Sequence, residues 1–212
     1  MKFILVVARP NLFPGLSAQG LLATDSVDMA AVERHSFFAE RGFMEDCSHF
    51  KQLIPYLTLE LDGNNLCYQR QIKHSEQRLG GLWTIGFGGL VEPLDRDAPE
   101  TRELGVLQTA ALRELHEESG LTVDASALNL RGYINDESTD VSSVHFGLFY
   151  TVDLASTGLS LEQIEERVNA QAEPHRVAWR RRDELIAANG SPLAAPHEGE
   201  WEDWTRLAFT GV

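Results

Sequence analysis

Arg113-Glu114-Leu115-His116-Glu117-Glu118-Ser119-Gly120-Leu121 closes a segment that starts as an amphipathic helix and then breaks its own pattern. Leu107, Ala110 and Ala111 stand at i, i+3 and i+4 and form one apolar stripe. The next positions on that stripe, 114 and 118, are both glutamate. At ~100° per residue, Glu114, Glu117 and Glu118 fall within about 100° of arc, centred near the direction of Leu107 and Ala111. Three carboxylates therefore point where the core contact would have continued. Like charges this close raise each other's pKa and oppose folding unless something positive sits among them. A divalent cation meets that need, and oxygen-only ligands favour Mg²⁺ or Mn²⁺ over zinc. Arg113 can hold one of the carboxylates bidentately and fix its rotamer. The plainer reading of the same spacing is a solvated acidic helix face, and spacing alone leaves both open. His116 lies on the opposite face and reads as a solvent-facing side chain.

Working outward, this helix spans about Glu103 to Ser119 and ends on Gly120 as its C′ residue. Upstream, Leu82–Phe87 reads as a strand, and Gly88 and Gly89 free the backbone just beyond it. Ile54–Leu61 and Leu66–Gln71 read as a hairpin around Asp62-Gly63-Asn64-Asn65. Residues 3–8 form a short apolar strand, and residues 27–43 have helical composition with Asp25 or Ser26 as N-cap. Further strands are expected at Leu128–Asn135, Val144–Val152 and Val177–Trp179, and helices at Leu161–Ala170, Arg182–Ala188 and Trp201–Ala208. Hairpins mixed with crossovers imply an α+β or mixed-sheet α/β/α arrangement. Trp83, Ile85 and Phe87 alternate to one face and read as core rather than as a stacking platform. Arg180-Arg181-Arg182, the basic run of an acidic chain, reads as a solvated run beside a helix start.

The 212 residues suffice for one well-packed unit, and 43% hydrophobic with 24% charged residues is ordinary for a globular protein. A net charge of −14 opposes long nucleic acid and anionic membranes as partners. It also makes a phosphorylated ligand awkward without bound cations. Cys47 and Cys67 have no zinc-ligand spacing and read as packed, reduced thiols. The apolar run Phe3–Ala8 stops at Arg9-Pro10, too short for a signal or membrane segment, so a cytoplasmic location is expected.

The segment 113–121 resembles the second half of the Nudix box: Arg-Glu, an aliphatic residue, any residue, Glu-Glu, any residue, Gly, an aliphatic residue. Gly88-Gly89-Leu90-Val91-Glu92-Pro93 resembles its glycine-led opening, directly after a strand. Two features depart from the family pattern. Asp95 stands where the family has glutamate six residues after the leading glycine, and the stretch to Arg113 is about ten residues longer than usual, an insertion over Arg96–Gly105. Asp95 and Glu103 are therefore alternative equivalents of that glutamate.

The resemblance implies a Nudix-type α/β/α sandwich of α+β class with a mixed sheet. Residues 1–50 would be an N-terminal extension packed on the core, and residues 51–212 the Nudix hydrolase domain. It further implies that Glu114, Glu117 and Glu118 bind Mg²⁺ or Mn²⁺ and that Arg113 organises them. Gly88 and Gly89 would border the substrate, a small diphosphate compound such as a nucleoside diphosphate linked to another moiety. Glu137 is the candidate base outside the box, and His145 a candidate substrate contact. The alternative is a non-catalytic, ligand-sensing Nudix module. A third activity known on this fold, isoprenoid diphosphate isomerisation, would need a catalytic cysteine, for which Cys67 is a poor fit. A homodimer is the expected assembly.

Overall fold

The computed structural model describes residues 1–15, 18–71, 79–172, 174–187 and 191–209. Ten strands belong to one mixed sheet: β1 (Phe3–Ala8), β2 (Gly20–Leu22), β3 (Phe37–Glu40), β4 (Phe50–Leu61), β5 (Asn64–Gln69), β6 (Trp83–Thr84), β7 (Gly86–Gly88), β8 (Leu128–Asn135), β9 (His145–Asp153) and β10 (Arg176–Arg181). Short helices α1 (Arg9–Leu12), α2 (Met29–His35), α3 (Arg41–Met44), α4 (Pro93–Asp97) and α5 (Thr101–Leu104) precede the long α6 (Val106–Ser119). After it come α7 (Asp140–Ser143), α8 (Leu161–Ala172), α9 (Arg182–Leu185) and α10 (Asp203–Phe209). None of the described helices is long and apolar enough to cross a membrane.

The twelve-residue β4 organises the sheet. It pairs in parallel with β9 over its whole middle, from Gln52 opposite His145 to Glu60 opposite Asp153. Its other edge is shared by three antiparallel partners in succession, β1 near Gln52, β7 near Tyr56 and β5 at Leu61. Period-2 alternation gives this strand two faces. Leu53, Leu57 and Leu59 pack with Leu107, Ala110, Ala111 and Leu115 of α6 and with Ile164 and Val168 of α8. Tyr56 on the other face packs with Phe149, Ile134, Ala208 and Phe209, beneath α10. The sheet thus lies between helical layers, the α/β/α sandwich of α+β class expected from the sequence.

The first fifty residues contribute three of the strands. β1 pairs with β3 and β4, and β2 pairs with β8 on the far side of the sheet. The helix expected over 27–43 is corrected: α2, capped by Asp28 at 3.0 Å to the Ala31 amide, ends at His35, and Phe37–Glu40 becomes a strand. Aromatic residues at 37 and 38 suit a pleated surface, and pairing with β1 outweighs the weak helical preference of the stretch. The Asp62-Gly63 turn has both residues at positive φ, 51° and 74°, as a type I′ hairpin requires. Trp83 and Phe87 are fully buried, but on different sides. The chain bends at Ile85, so Trp83 and Ile85 join the α10-side cluster while Phe87 joins the α6 side, stacked 4.6 Å from Tyr68. The single face expected for those three residues is therefore replaced by two.

Candidate active site

β7 delivers the glycines to the start of the site. Gly88 pairs with Tyr56, so close that a Cβ on it would meet the Pro55 carbonyl oxygen at 2.0 Å. The Gly88 amide donates to Glu118 Oε2 at 2.9 Å. Beside it, a Cβ on Gly89 would lie 2.4 Å from Glu114 Oε2. Only glycine lets the loop backbone lie against that carboxylate. The helix ends where its sequence says it should, with Gly120 at φ 69° and its amide bonded to the His116 carbonyl.

Arg113 is the hub. Its Nε and Nη2 donate to Asp95 Oδ1 and Oδ2 at 2.6 and 2.9 Å. Nη1 donates to Glu114 Oε1 at 2.7 Å and Glu117 Oε2 at 3.0 Å, and Nη2 donates also to the Leu90 carbonyl at 2.8 Å. Five acceptors match the five N–H groups of a guanidinium, which no other side chain offers in one plane. The Asp95 carboxylate is buried, caps α4 by accepting from the Glu92 amide at 2.7 Å, and ties the loop to α6. Glu103, its rival in the sequence, is exposed on α5, separated from α6 by Gly105 at φ 79°. Asp95 is thus the carboxylate that meets Arg113.

Burial raises the Glu114 pKa against the opposing pull of Arg113, so its charge is incompletely compensated. Among the described residues no three acidic, histidine or cysteine side chains converge on one point as they stand, since Glu114 and Glu117 turn to Arg113. The donor set nonetheless suits a hard divalent cation. It is all oxygen, Glu114 and Glu118 are oriented by Arg113 and by the Gly88 amide, and Glu117 is an exposed side chain with rotamers to spare.

Two residues that the sequence reading missed form an ion pair, and the charge of one of them, Arg70, acts on Glu118. Arg70, at the end of β5, lies over the Tyr68 ring at 5.6 Å and donates from Nε to the buried Glu202 Oε2 at 3.0 Å. Its charge is coupled to both Glu118 and Glu202. No local motif marks either residue: one terminates a strand, the other precedes a short helix, and only the fold unites them.

Glu137 lies just past the end of β8. Arg9 clamps it with two hydrogen bonds of 2.7 Å, and the fully buried Lys51 adds a third contact at 2.8 Å. These cations hold its pKa down at about 2 against the desolvation that would raise it. A carboxylate so paired keeps its charge. Its contacts make it a strut joining the N-terminal strand region to the end of β8. A carboxylate whose folded pKa lies below its unfolded value adds stability above the unfolded pKa, and that stability is lost as pH falls toward the folded one. Glu137→Gln should therefore flatten the loss of stability between about pH 4.5 and pH 2, measured by urea unfolding at stepped pH. An unchanged profile would refute the strut.

His145 opens β9, with Nδ1 2.6 Å from the Val141 carbonyl oxygen. His116 is exposed, within 3.2 Å of Thr122 Oγ1. Cys67 is buried and its thiol is pushed up to about 12 by desolvation, which leaves it protonated and unsuited to thiolate chemistry. Arg181 and Arg182 are exposed, whereas Arg180 is half-buried and donates to the Trp179 carbonyl at 3.0 Å.

No family model matches the chain. Protein YmaB of Bacillus subtilis (strain 168) is 31% identical over 159 residues, which span 72% of this chain and 76% of YmaB. The crystal structure of Tm1382, provisionally classed as a Nudix hydrolase, superposes with a TM-score of 0.63 at 21% identity, covering 98% of this chain and 96% of that one. A MutT Nudix hydrolase from Burkholderia pseudomallei matches less well, with a TM-score of 0.49 at 20% identity over 76% of this chain and 98% of its own. With the Arg-Glu-x-x-Glu-Glu helix seated against its glycine loop, the chain belongs to the same family as YmaB and has the Nudix fold of the Tm1382 structure.

Proposed function

We propose that this protein is a metal-dependent hydrolase that cleaves a phosphoanhydride bond in a nucleoside diphosphate linked to another moiety. The observation that carries this reading is the clustering of Glu114, Glu117 and Glu118 around Arg113 and the Gly88 amide. It is an all-oxygen donor set on one stretch of helix, with one of its members buried. Glu114, Glu117 and Glu118 would hold Mg²⁺ or Mn²⁺, which when bound neutralises phosphoryl oxygens and lowers the pKa of a bound water.

The chain's own groups do the rest. Arg113 holds Glu114 and Glu117 and the Gly88 amide holds Glu118, and the exposed Glu117 would swing from Arg113 toward a cation. Gly89 keeps the floor of the loop free of side chain. Arg70, held by Tyr68 and Glu202, sets a fixed positive charge beside Glu118, where a diphosphate would bring negative charge. The proton acceptor is a carboxylate of the box or Glu137, the candidate outside it.

The test is release of nucleoside monophosphate from a panel of nucleoside diphosphate derivatives with Mg²⁺ or Mn²⁺, with and without EDTA. Turnover that EDTA abolishes supports the hydrolase. Saturable binding of panel members with no cleavage under any metal would overturn it in favour of a ligand-sensing module.

A further inference from the structure

Of the strands at the rim of the sheet, β3 is unguarded. β10, at another edge, carries Arg176, Arg180 and Arg181, charges of the kind that keep an exposed edge from pairing. β2 runs for only three residues and lies against α10. β3, by contrast, pairs with β1 alone among the described strands. Its sequence is Phe37-Phe38-Ala39-Glu40, and the Glu40 carboxylate is turned to the Gly42 amide at 3.4 Å. The outer row of peptide N–H and C=O groups on β3 is therefore open to another strand, with no cation or proline on the strand to oppose it.

Apolar side chains gather around that edge. Phe38, opposite Leu5, faces the α6 side, whereas Phe37 takes the other face and stands edge-on to Phe50 at 5.6 Å. Phe37 is 46% exposed, Phe3 on β1 41%, Phe43 on α3 76% and Leu94 on α4 54%. Beside the strand runs a groove of about 580 Å³, walled by Phe3, Phe37 and Phe38 on one side and by Pro93, Arg96 and Val106 on the other. At ~200 Å² for a fully exposed side chain of this kind, the four exposed residues present ~400 Å² of apolar surface, a size that commonly marks an interaction site. Apolar atoms make up about 60% of a typical interface, so this patch implies ~700 Å² per partner, close to the ~800 Å² of stable complexes.

Charge and symmetry select a second copy as the occupant. The chain carries −14 overall, so two copies repel wherever their surfaces share that excess. At this corner the cations are matched: Lys2 with Glu92 at 2.7 Å, Arg41 with Glu45 at 2.6 Å, Arg96 with Asp97 at 3.5 Å and Arg34 with Asp28 at 4.0 Å. That leaves the corner far closer to neutral than the chain as a whole. An antiparallel pair of identical strands about a two-fold axis also covers both outer edges at once, which closes the assembly at two. We propose that β3 joins the β3 of a second copy in this way, extending the sheet from one copy into the other, with Phe3, Phe37, Phe43 and Leu94 packed around the seam. Leu94 adjoins Asp95, so the seam abuts the Arg113 hub without using any of its side chains.

The experiment is light scattering on the full chain after size exclusion, from ~1 to ~100 µM, together with hydrogen–deuterium exchange of the Phe37–Glu40 amides. Wild type should run at twice the 23.6 kDa of one chain, and exchange at Phe37–Glu40 should slow as concentration rises. Phe37→Glu and Phe43→Glu should each weaken the association by ~30-fold or more while keeping the circular dichroism of wild type. Leu130→Glu, the same change of charge at an exposed leucine on β8, should leave the pair intact. Wild type at the mass of one chain at ~100 µM, or at a mass above two chains, would overturn the proposal, as would a dimer that either phenylalanine variant retains or that Leu130→Glu loses. Exchange at Phe37–Glu40 that does not change with concentration would overturn it too, and that measurement needs no variant to fold.

Discussion

Glu118→Gln is expected to lower metal-dependent turnover by ~10²–10³-fold, a loss of ~2.7–4 kcal/mol of transition-state stabilisation. The argument is geometric. Glu118 Oε2 accepts the Gly88 amide at 2.9 Å, which seats the glycine loop against the box helix. Glutamine can keep the contact to the backbone through its amide oxygen, so the loop stays seated, but it brings no charge to a cation. The substitution should therefore separate chemistry from folding: kcat falls with the apparent metal affinity, while the melting temperature moves by no more than ~2 °C. Turnover within threefold of wild type would remove Glu118 from the machinery.

The second large effect falls on stability. Arg113→Ala is expected to destabilise the protein by ~3–5 kcal/mol, because removing one partner of a buried ion pair leaves the others uncompensated. Here the abandoned groups are Asp95, 1% exposed, and Glu114, 7% exposed, with Glu117 close by. For a chain of this size that corresponds to a fall in Tm of roughly 6–20 °C. Arg113→Lys should recover little of it. An ammonium keeps the charge but cannot reach Asp95, Glu114, Glu117 and the Leu90 carbonyl from one rigid plane. Divalent metal should raise the melting temperature of Arg113→Ala more than that of wild type, since in the variant no guanidinium offsets Glu114 and Glu117. A variant that melts within ~2 °C of wild type would show that the hub is dispensable.

How much of this was legible beforehand follows from how far apart in sequence the interacting groups lie. The box helix, its Gly120 stop and the hairpin at Asp62-Gly63 are local facts, encoded within a few residues, and they stand where the sequence puts them. The boundaries of β8 could likewise be read from its own apolar pattern. The segment 27–43 could not, because its second half is a strand only through its pairing with β1, some thirty residues earlier. The same holds for the site. Glu114, Glu117 and Glu118 betray themselves by interrupting an apolar stripe. Arg70 and Glu202 meet across 132 positions, and Glu137 finds Arg9 across 128, so neither spacing nor charge pattern announces them.

The parallel seam between β4 and β9 carries one more consequence, for the order in which the molecule can assemble. Gln52 meets His145, so the central pair closes a loop of more than ninety residues, and the whole box lies inside that loop. Contacts of such separation are entropically expensive to make first and slow the search for the native state. During synthesis the box helix is complete while the strand that backs half of the opposing layer is still unmade. The carboxylate cluster must then wait, exposed and without its final support, until His145–Asp153 joins the sheet. The Arg113 hub, whose partners all lie between Leu90 and Glu117, is the device that can hold those charges together in the interval.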